Sequence, residues 1–248
     1  MERSKIMMMR TLLLVMCLLL AGCGDGGTVP EIDPGDGGAY EVALDPADFV
    51  PVIDNPLLPF TPGAIWVYES QEDGEVERIE VTVLDETREV MGIEATVVRD
   101  TVTVDGELVE DTYDWYAQDG EGNVWYLGEE TAEYENGELV STAGAWEGGV
   151  DGALPGLIME AAPRVGDVYR QEFYPGEAED LAEVVRSGVR EDVVYGSFGD
   201  LIVIKEWNPL QPEVVEEKYY ATGVGLVLET TIEGGSERIE LVSHTPGA

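Results

Sequence analysis

The chain has few of the residues that most catalytic and redox sites use. Among its 248 residues only two are cysteine, Cys17 and Cys23, and only one is histidine, His244. A lone histidine four residues from the end argues against a Ser-His-Asp triad and against a histidine-based metal centre. Phosphate-binding glycine loops, dinucleotide fingerprints and the G-x-S-x-G elbow are missing too. The sequence therefore predicts a protein that is not an enzyme of the common classes.

Basic residues are also scarce, with 13 Lys and Arg against 52 Asp and Glu, for a net charge of −39. Such a field repels nucleic acid phosphates and anionic lipid headgroups, and it attracts cations. We therefore expect no nucleic-acid partner. Two interpretations of the acidic excess stay open, which are adaptation to an ion-rich exterior and selective binding of divalent cations.

One apolar run, at residues 12–20, follows three basic residues near the start of the chain. It is shorter than the roughly 20 residues that cross a bilayer as a helix, and it has the length of a signal peptide core. The run ends in L-A-G-C, which resembles the lipobox of bacterial lipoproteins. Residues 1–22 are therefore predicted to be a signal peptide and Cys23 the lipidation site. An ordinary secretory signal and a retained membrane helix are the alternatives.

Acyl chains such as palmitate on Cys23 would attach the protein stably to a membrane without a transmembrane span. Gly24, rather than an aspartate, follows the cysteine, so sorting to the outer membrane of a diderm is favoured over the inner membrane. Residues 23–39 are rich in Gly, Asp and Pro and predict a flexible tether. Residues 40–248 remain as one domain, which contains no cysteine and needs a hydrophobic core for its stability.

The domain is predicted to be mostly β. Residues 40–62 contain five prolines, which predict an extended lead-in. Strand-like runs rich in β-branched residues begin after Gly63, at residues 65–69, 76–84 and 94–104. Hairpin turns are indicated at four dipeptides: Asp73-Gly74, Asp105-Gly106, Asn136-Gly137 and Gly234-Gly235. We predict a single curved antiparallel sheet, as a sandwich or half-barrel, with at most one or two short helices. The candidates for those helices are residues 154–162 and 177–185.

Several blocks resemble a family of uncharacterised exported bacterial lipoproteins. They are D-N-P-L-L-P-F-T-P-G at 54–63 with W-V-Y at 66–68, D-W-Y-A-Q-D at 114–119 with G-N-V-W-Y at 122–126, Y-P-G-E-A-E-D at 174–180, and K-Y-Y-A at 218–221 with G-V-G-L-V at 223–227. The resemblance spans nearly all of the chain after the tether. It implies curved antiparallel sheets and no known activity.

Two candidate sites follow from residue chemistry. Asp119, Glu121 and Asn123 alternate in a glycine-rich loop and offer the oxygen ligands that calcium prefers, although the same residues make a good hairpin turn. Large aromatic side chains could line a groove for a sugar or an apolar ligand, although core packing is their usual role. The candidates for that groove are Trp115, Trp125, Trp146 and Tyr174.

A dense acidic motif, Glu177, Glu179 and Asp180, could supply the carboxylate pair of a glycan hydrolase. Close pairs of acids are expected everywhere in a chain this acidic, so a solvated turn explains the motif equally well. Our leading expectation is a lipid-anchored cell-envelope protein that serves as a binding or structural module for an unknown protein or small molecule. The alternatives are a calcium-stabilised domain and a carboxylate-dependent glycan hydrolase.

Overall fold

The computed structural model describes residues 40–72 and 74–247. The predicted signal peptide, the lipidation site Cys23 and the tether at 23–39 lie outside these residues. Within the described part of the chain, no helix combines the length and the apolar character needed to span a membrane.

The described residues form strands joined by turns, with one 3-10 turn at Pro46–Asp48 and no α-helix among them. The strands are β1 Phe49–Val50, β2 Ile65–Glu72, β3 Glu75–Val90, β4 Ile93–Val104, β5 Glu107–Asp119, β6 Val124–Glu135, β7 Glu138–Ser141, β8 Trp146–Glu147, β9 Leu154–Met159, β10 Val168–Arg170, β11 Glu172–Phe173, β12 Leu181–Val193, β13 Gly196–Trp207, β14 Val215–Ala221, β15 Gly225–Glu233 and β16 Arg238–Thr245. The prediction of a mostly β domain is confirmed.

The strands build one antiparallel sheet in which most neighbours in space are neighbours in sequence. Its order is β10-β12-β13-β14-β15-β16-β2-β3-β4-β5-β6-β9-β11, with β1 on β5 and with β7 and β8 on β6. Tight turns between successive strands explain this order. In the turn dipeptides Asp105-Gly106 and Asn136-Gly137, each residue has a positive φ. Those angles give the type I′ turns whose twist matches that of the paired strands.

The two ends of the sheet are joined by one short chain segment. β10 pairs with β12, and β11, which begins two residues after β10 ends, pairs with β9. Gln171 lies between the two short strands, and its amide donates to the carbonyl of Asp180. The sheet therefore curls into a nearly closed barrel.

Both predicted helices are wrong, because their residues form strands and turns instead. Residues 154–159 form β9, which lies between β6 and β11. The acidic residues at 177–180 form a turn, in which the Gly176 amide donates to Glu179 Oε1 at 2.8 Å. The residues after them enter β12, where Leu181, Ala182 and Val184 are all fully buried. Tertiary pairing on both sides of β12 outweighs the local helix signals.

The proline-rich lead-in does more than extend along the domain. Its residues 53–60, which we call the plug, lie across one end of the barrel. The Asn55 amide group donates to the carbonyls of Gly122 and Glu160, and the carbonyl of Pro56 accepts from Gly223. These partners belong to loops from different sides of the barrel. The plug therefore closes that end.

The largest hydrophobic cluster fills the barrel interior. It joins Leu58 and Phe60 of the plug to residues on well-separated strands, such as Val98 on β4 and Leu228 on β15. A second cluster lies around Trp115 on the other face of the sheet, and a third surrounds Trp146. The interior cluster is incomplete, and the space that it leaves is the candidate site.

Candidate functional site

A cavity of about 190 Å³ lies inside the barrel beneath the plug. The apolar wall of the cavity is formed by the plug and by strands of the sheet. It includes Phe60, Trp66, Ile79, Val98 and Ile239. Its polar wall consists of four ionisable side chains and three tyrosines: Asp100, Asp114, Lys218, Glu229, Tyr68, Tyr116 and Tyr220. A largely apolar space with a few convergent polar groups is the usual form of a small-molecule site.

Strand register places the acids of one wall side by side. On β4 and β5, Asp114 lies opposite Val98 and diagonally from Asp100, on the same face of the sheet. On β6, Glu129 lies directly opposite Asp114. Since side chains alternate along a strand, this register gathers the three carboxyl groups into one acidic strip.

Asp114 and Glu129 share a tyrosine hydroxyl. The oxygen of Tyr126 lies 2.6 Å from Asp114 Oδ1 and 2.9 Å from Glu129 Oε2. A tyrosine hydroxyl has one proton and can donate to only one of these oxygens. The second contact is a hydrogen bond only when the other carboxyl group is protonated and donates to the tyrosine oxygen. The geometry therefore fits a proton held within the pair.

The electrostatics agree with a shared proton. Burial, followed by the negative charge of Glu129, raises the pKa of Asp114 to about 8, although the Tyr126 hydrogen bond opposes the shift. Burial is also the main cause that raises the pKa of Glu129 to about 7. Both groups thus hold protons near neutral pH.

The opposite wall carries the one basic side chain that lines the cavity. Lys218 Nζ lies 2.6 Å from Glu206 Oε2 and 3.8 Å from Glu229 Oε2. Burial alone would lower the pKa of Lys218, but the charges of Glu206 and Glu229 outweigh it and hold the pKa well above its usual value. Lys218 is therefore a fixed cation whose charge is already matched by its neighbours.

Tyr220 presents a hydroxyl group to the cavity. Its side chain is only 5% exposed and lines the cavity near Lys218. Burial, followed by the charge of Glu206, raises the pKa of Tyr220 far above its usual range. A tyrosine hydroxyl beside a cavity can exchange hydrogen bonds with a ligand or with water there.

Replacement of Asp114 by asparagine should change the pH dependence of stability. The ordinary aspartate pKa is near 4 and the folded value is about 8, so the native state binds this proton more tightly than the unfolded state does. The contribution is favourable at pH 4, and it is lost as the pH rises to 8. We expect Asp114→Asn to be more stable than the parent at pH 8 by roughly 1–3 kcal/mol.

Urea denaturation at pH 5 and pH 8 measures this effect. Asp151→Asn, which changes an exposed turn carboxylate, is the control and should follow the parent at both pH values. Glu129 and other buried acids should preserve part of the pH dependence of stability in Asp114→Asn. Parallel pH profiles for the parent and Asp114→Asn would contradict the assignment of a buried, protonated Asp114.

The aromatic residues predicted to line a groove divide between two places. Trp115 and Trp125 lie in the cluster on the outer face, where the Arg88 guanidinium stacks 3.8 Å from the ring centre of Trp115. Trp146 and Tyr174 lie in the third cluster, and Trp146 Nε1 donates to Glu172 Oε2 at 2.7 Å. The structure does not gather the four side chains in one groove.

The predicted calcium ligands lie in the hairpin turn between β5 and β6. The Asp119 carboxylate accepts from the amides of Glu121 and Asn123, and also from Asn123 Nδ2 and Trp125 Nε1, at 2.9–3.0 Å. These bonds lower the pKa of Asp119 against the opposing effect of its partial burial. Within the described residues, no group of three or more His, Cys, Asp or Glu is placed to hold a metal ion. Calcium stabilisation stays a prediction, which calorimetry with calcium and with chelator would test.

Sequence analysis did not identify the residues that line the cavity. Asp114, Lys218 and Tyr220 lie in blocks that carry the family resemblance, but their roles were not inferred. A usable signal exists, because Asp100 lies between Val98 and Val102 on the buried face of a strand whose side chains alternate. A charge on an apolar face of this kind marks an internal polar site.

Comparisons with known proteins assign no activity to the chain. No family model and no curated protein matches the chain. Two solved structures resemble it, a Bacteroides fragilis protein described as exported and with a YmcC-like fold, at TM-score 0.47, and a Parabacteroides distasonis protein described as a lipoprotein, at 0.44. Each is 13% identical to this chain, and each alignment covers 77% of this chain and 99% of the other.

Proposed function

We propose that the protein is a lipid-anchored cell-envelope module that binds a small molecule inside its barrel. The observation that carries the proposal is the plugged cavity, in which an aromatic wall meets charged groups and the Tyr220 hydroxyl. A protein built only as a spacer would gain stability by filling this space with apolar side chains, since cavities and buried charges are both costly.

The predicted anchor gives the module its place. Acyl chains on Cys23 would hold the chain at a membrane, and the tether at 23–39 would let the barrel stand in the aqueous phase. In a diderm we propose the outer membrane. Mass spectrometry of the amino-terminal peptide tests this part, and we expect cleavage before Cys23 and an acylated cysteine. An intact leader or an unmodified thiol would contradict the anchor.

Binding, rather than catalysis, is the role that we propose for the cavity. Lys218 is engaged by Glu206, and Asp114 is engaged by Tyr126, so the charged groups form stable pairs and are not poised against a reacting atom. The hydrolase alternative needs two acids on opposite sides of a bound sugar. Asp114 and Glu129 instead contact the same hydroxyl. The hydrolase hypothesis stays a prediction without a favouring observation.

Native mass spectrometry of the protein purified from its envelope under mild conditions tests occupancy of the cavity. Ile79 lines the cavity and keeps part of its surface accessible, so Ile79→Phe should fill the space. We expect a bound small molecule on the parent and its loss from this variant. Val194→Phe, at a position 72% exposed on the surface, is the control and should retain the ligand. An equal bound mass on all three proteins, or on none, would contradict a cavity ligand.

A further inference from the structure

We propose that the cavity selects a small organic cation, namely an amine on a compact apolar body. This inference rests on the proposed function and names the class of ligand. It is argued from the acidic groups of the lining, from its aromatic rings and from Tyr220, which all line this one cavity.

The charges that line the cavity favour a cation. Three carboxyl groups, those of Asp100, Asp114 and Glu229, face the same space as one ammonium group, that of Lys218. Lys218 is 2.6 Å from Glu206 and so has a partner outside the lining set. An anionic ligand would have to enter beside several acids, whereas a cation would offset them in a region of low dielectric constant.

The remaining wall suits the body of such a ligand. Phe60 packs against both Trp66 and Tyr116, with ring centres 5.7 and 5.2 Å apart, and all three rings line the cavity. Aromatic faces attract ammonium groups, and they also provide apolar surface for the carbon skeleton. The volume of about 190 Å³ is below that of sites for drug-sized molecules. The ligand should therefore be compact.

The Tyr220 hydroxyl gives an independent reason to expect a polar ligand. The Tyr220 residue is 5% exposed and lines the cavity. An ammonium group can donate to this oxygen and to a carboxylate at the same time. A purely apolar ligand would offer this hydroxyl no hydrogen bond.

Protonation of the acidic strip makes the proposal measurable in a second way. Asp114 is held in its neutral form by burial and by the acids Glu129 and Glu110, while Tyr126 is its hydrogen-bond partner. A bound cation favours the charged form of a neighbouring carboxyl group. Binding should therefore release a proton, and the affinity should increase as the pH rises from 6 to 8.

Three probes that share one ring test the charge preference by isothermal titration calorimetry on the purified protein. Benzylammonium, benzyl alcohol and benzoate are cationic, neutral and anionic respectively. We expect benzylammonium to bind at least tenfold more tightly than benzyl alcohol, and benzoate to bind more weakly than either. Asp114→Asn should reduce the preference for the cation at least threefold, and Glu229→Gln provides a second variant of the lining. Asp151→Asn, which removes an equal surface charge, should keep the parent preference.

Equal affinities for benzylammonium and benzyl alcohol would overturn the cation inference and leave a neutral cavity ligand in place. Equal losses of preference in Asp114→Asn and Asp151→Asn would also overturn it, because the general acidic field would then be the cause. If none of the three probes binds, the inference fails. The proposed function is judged separately by the native mass measurement with Ile79→Phe.

Discussion

Replacement of Gly156 by alanine is expected to destabilise the barrel by about 3 kcal/mol, at the upper part of the usual range for overpacking. A Cβ atom at this position would collide with the backbone carbonyl group of Gln171 and would lie 2.6 Å from the carbonyl oxygen of Arg170. Backbone atoms cannot rotate away as a side chain can. β9 would have to move off the segment that joins the two ends of the sheet.

Urea denaturation followed by tryptophan fluorescence measures this loss. Gly196→Ala is the matched control, because no atom lies within 4 Å of its added Cβ and its φ is not positive. That variant should be neutral or slightly more stable, since alanine restricts the unfolded chain. Similar unfolding midpoints for the two variants would show that the contact at Gly156 does not hold the barrel closed.

Asn55→Ala is expected to lower the free energy of unfolding by about 3 kcal/mol, since each buried group left without a partner costs about 1–3 kcal/mol. Asn55 is 2% exposed. Its Nδ2 donates to the carbonyls of Gly122 and Glu160, and its Oδ1 accepts from the Leu57 amide at 2.9 Å. The substitution would leave these three backbone groups without their side-chain partner.

Asn208 offers a close control for Asn55. Its Oδ1 also accepts from an amide two residues later, that of Leu210 at 2.8 Å, but at an exposed turn. Asn208→Ala should therefore cost below about 1 kcal/mol, because water can replace the bond. Limited proteolysis adds a second measurement, and cleavage near the plug should increase only in Asn55→Ala. Equal stability of both variants would mean that the plug is not fixed by its asparagine.

Local patterns predicted much of the sheet. The β-branched run at residues 94–104 became β4, Ile93–Val104, and the run at 76–84 lies within β3. Turn residues worked for the same reason, since Asp105-Gly106 and Asn136-Gly137 adopt the positive φ angles that few other pairs accept. Signals of this kind are local, so a single sequence contains them.

Closure of the barrel and the role of the plug could not be predicted in the same way. β10 and β11 have three and two residues, and each pairs with a different end of the sheet. Segments this short carry no periodicity. The prolines of the lead-in indicated an extended chain, but only the tertiary contacts of Asn55 show that it closes an end of the barrel.

The candidate site, like the closure of the barrel, could not be predicted from local patterns. Large aromatic side chains were predicted to line a groove, yet Trp115 lies on the outer face of the sheet. The residues inside the cavity, such as Asp114 and Lys218, come from strands far apart in sequence. Their proximity follows from curvature and register, which depend on the whole sheet.

A crystal structure of the protein grown with benzylammonium would show whether the barrel interior is a binding site. We expect ring density beside Phe60 and Trp66, with the nitrogen about 2.7–3.2 Å from an oxygen of Asp114 and within reach of the Tyr220 hydroxyl. A cavity that contains only water at a saturating concentration of the probe, or a ring bound on the outer face beside Trp115, would contradict it.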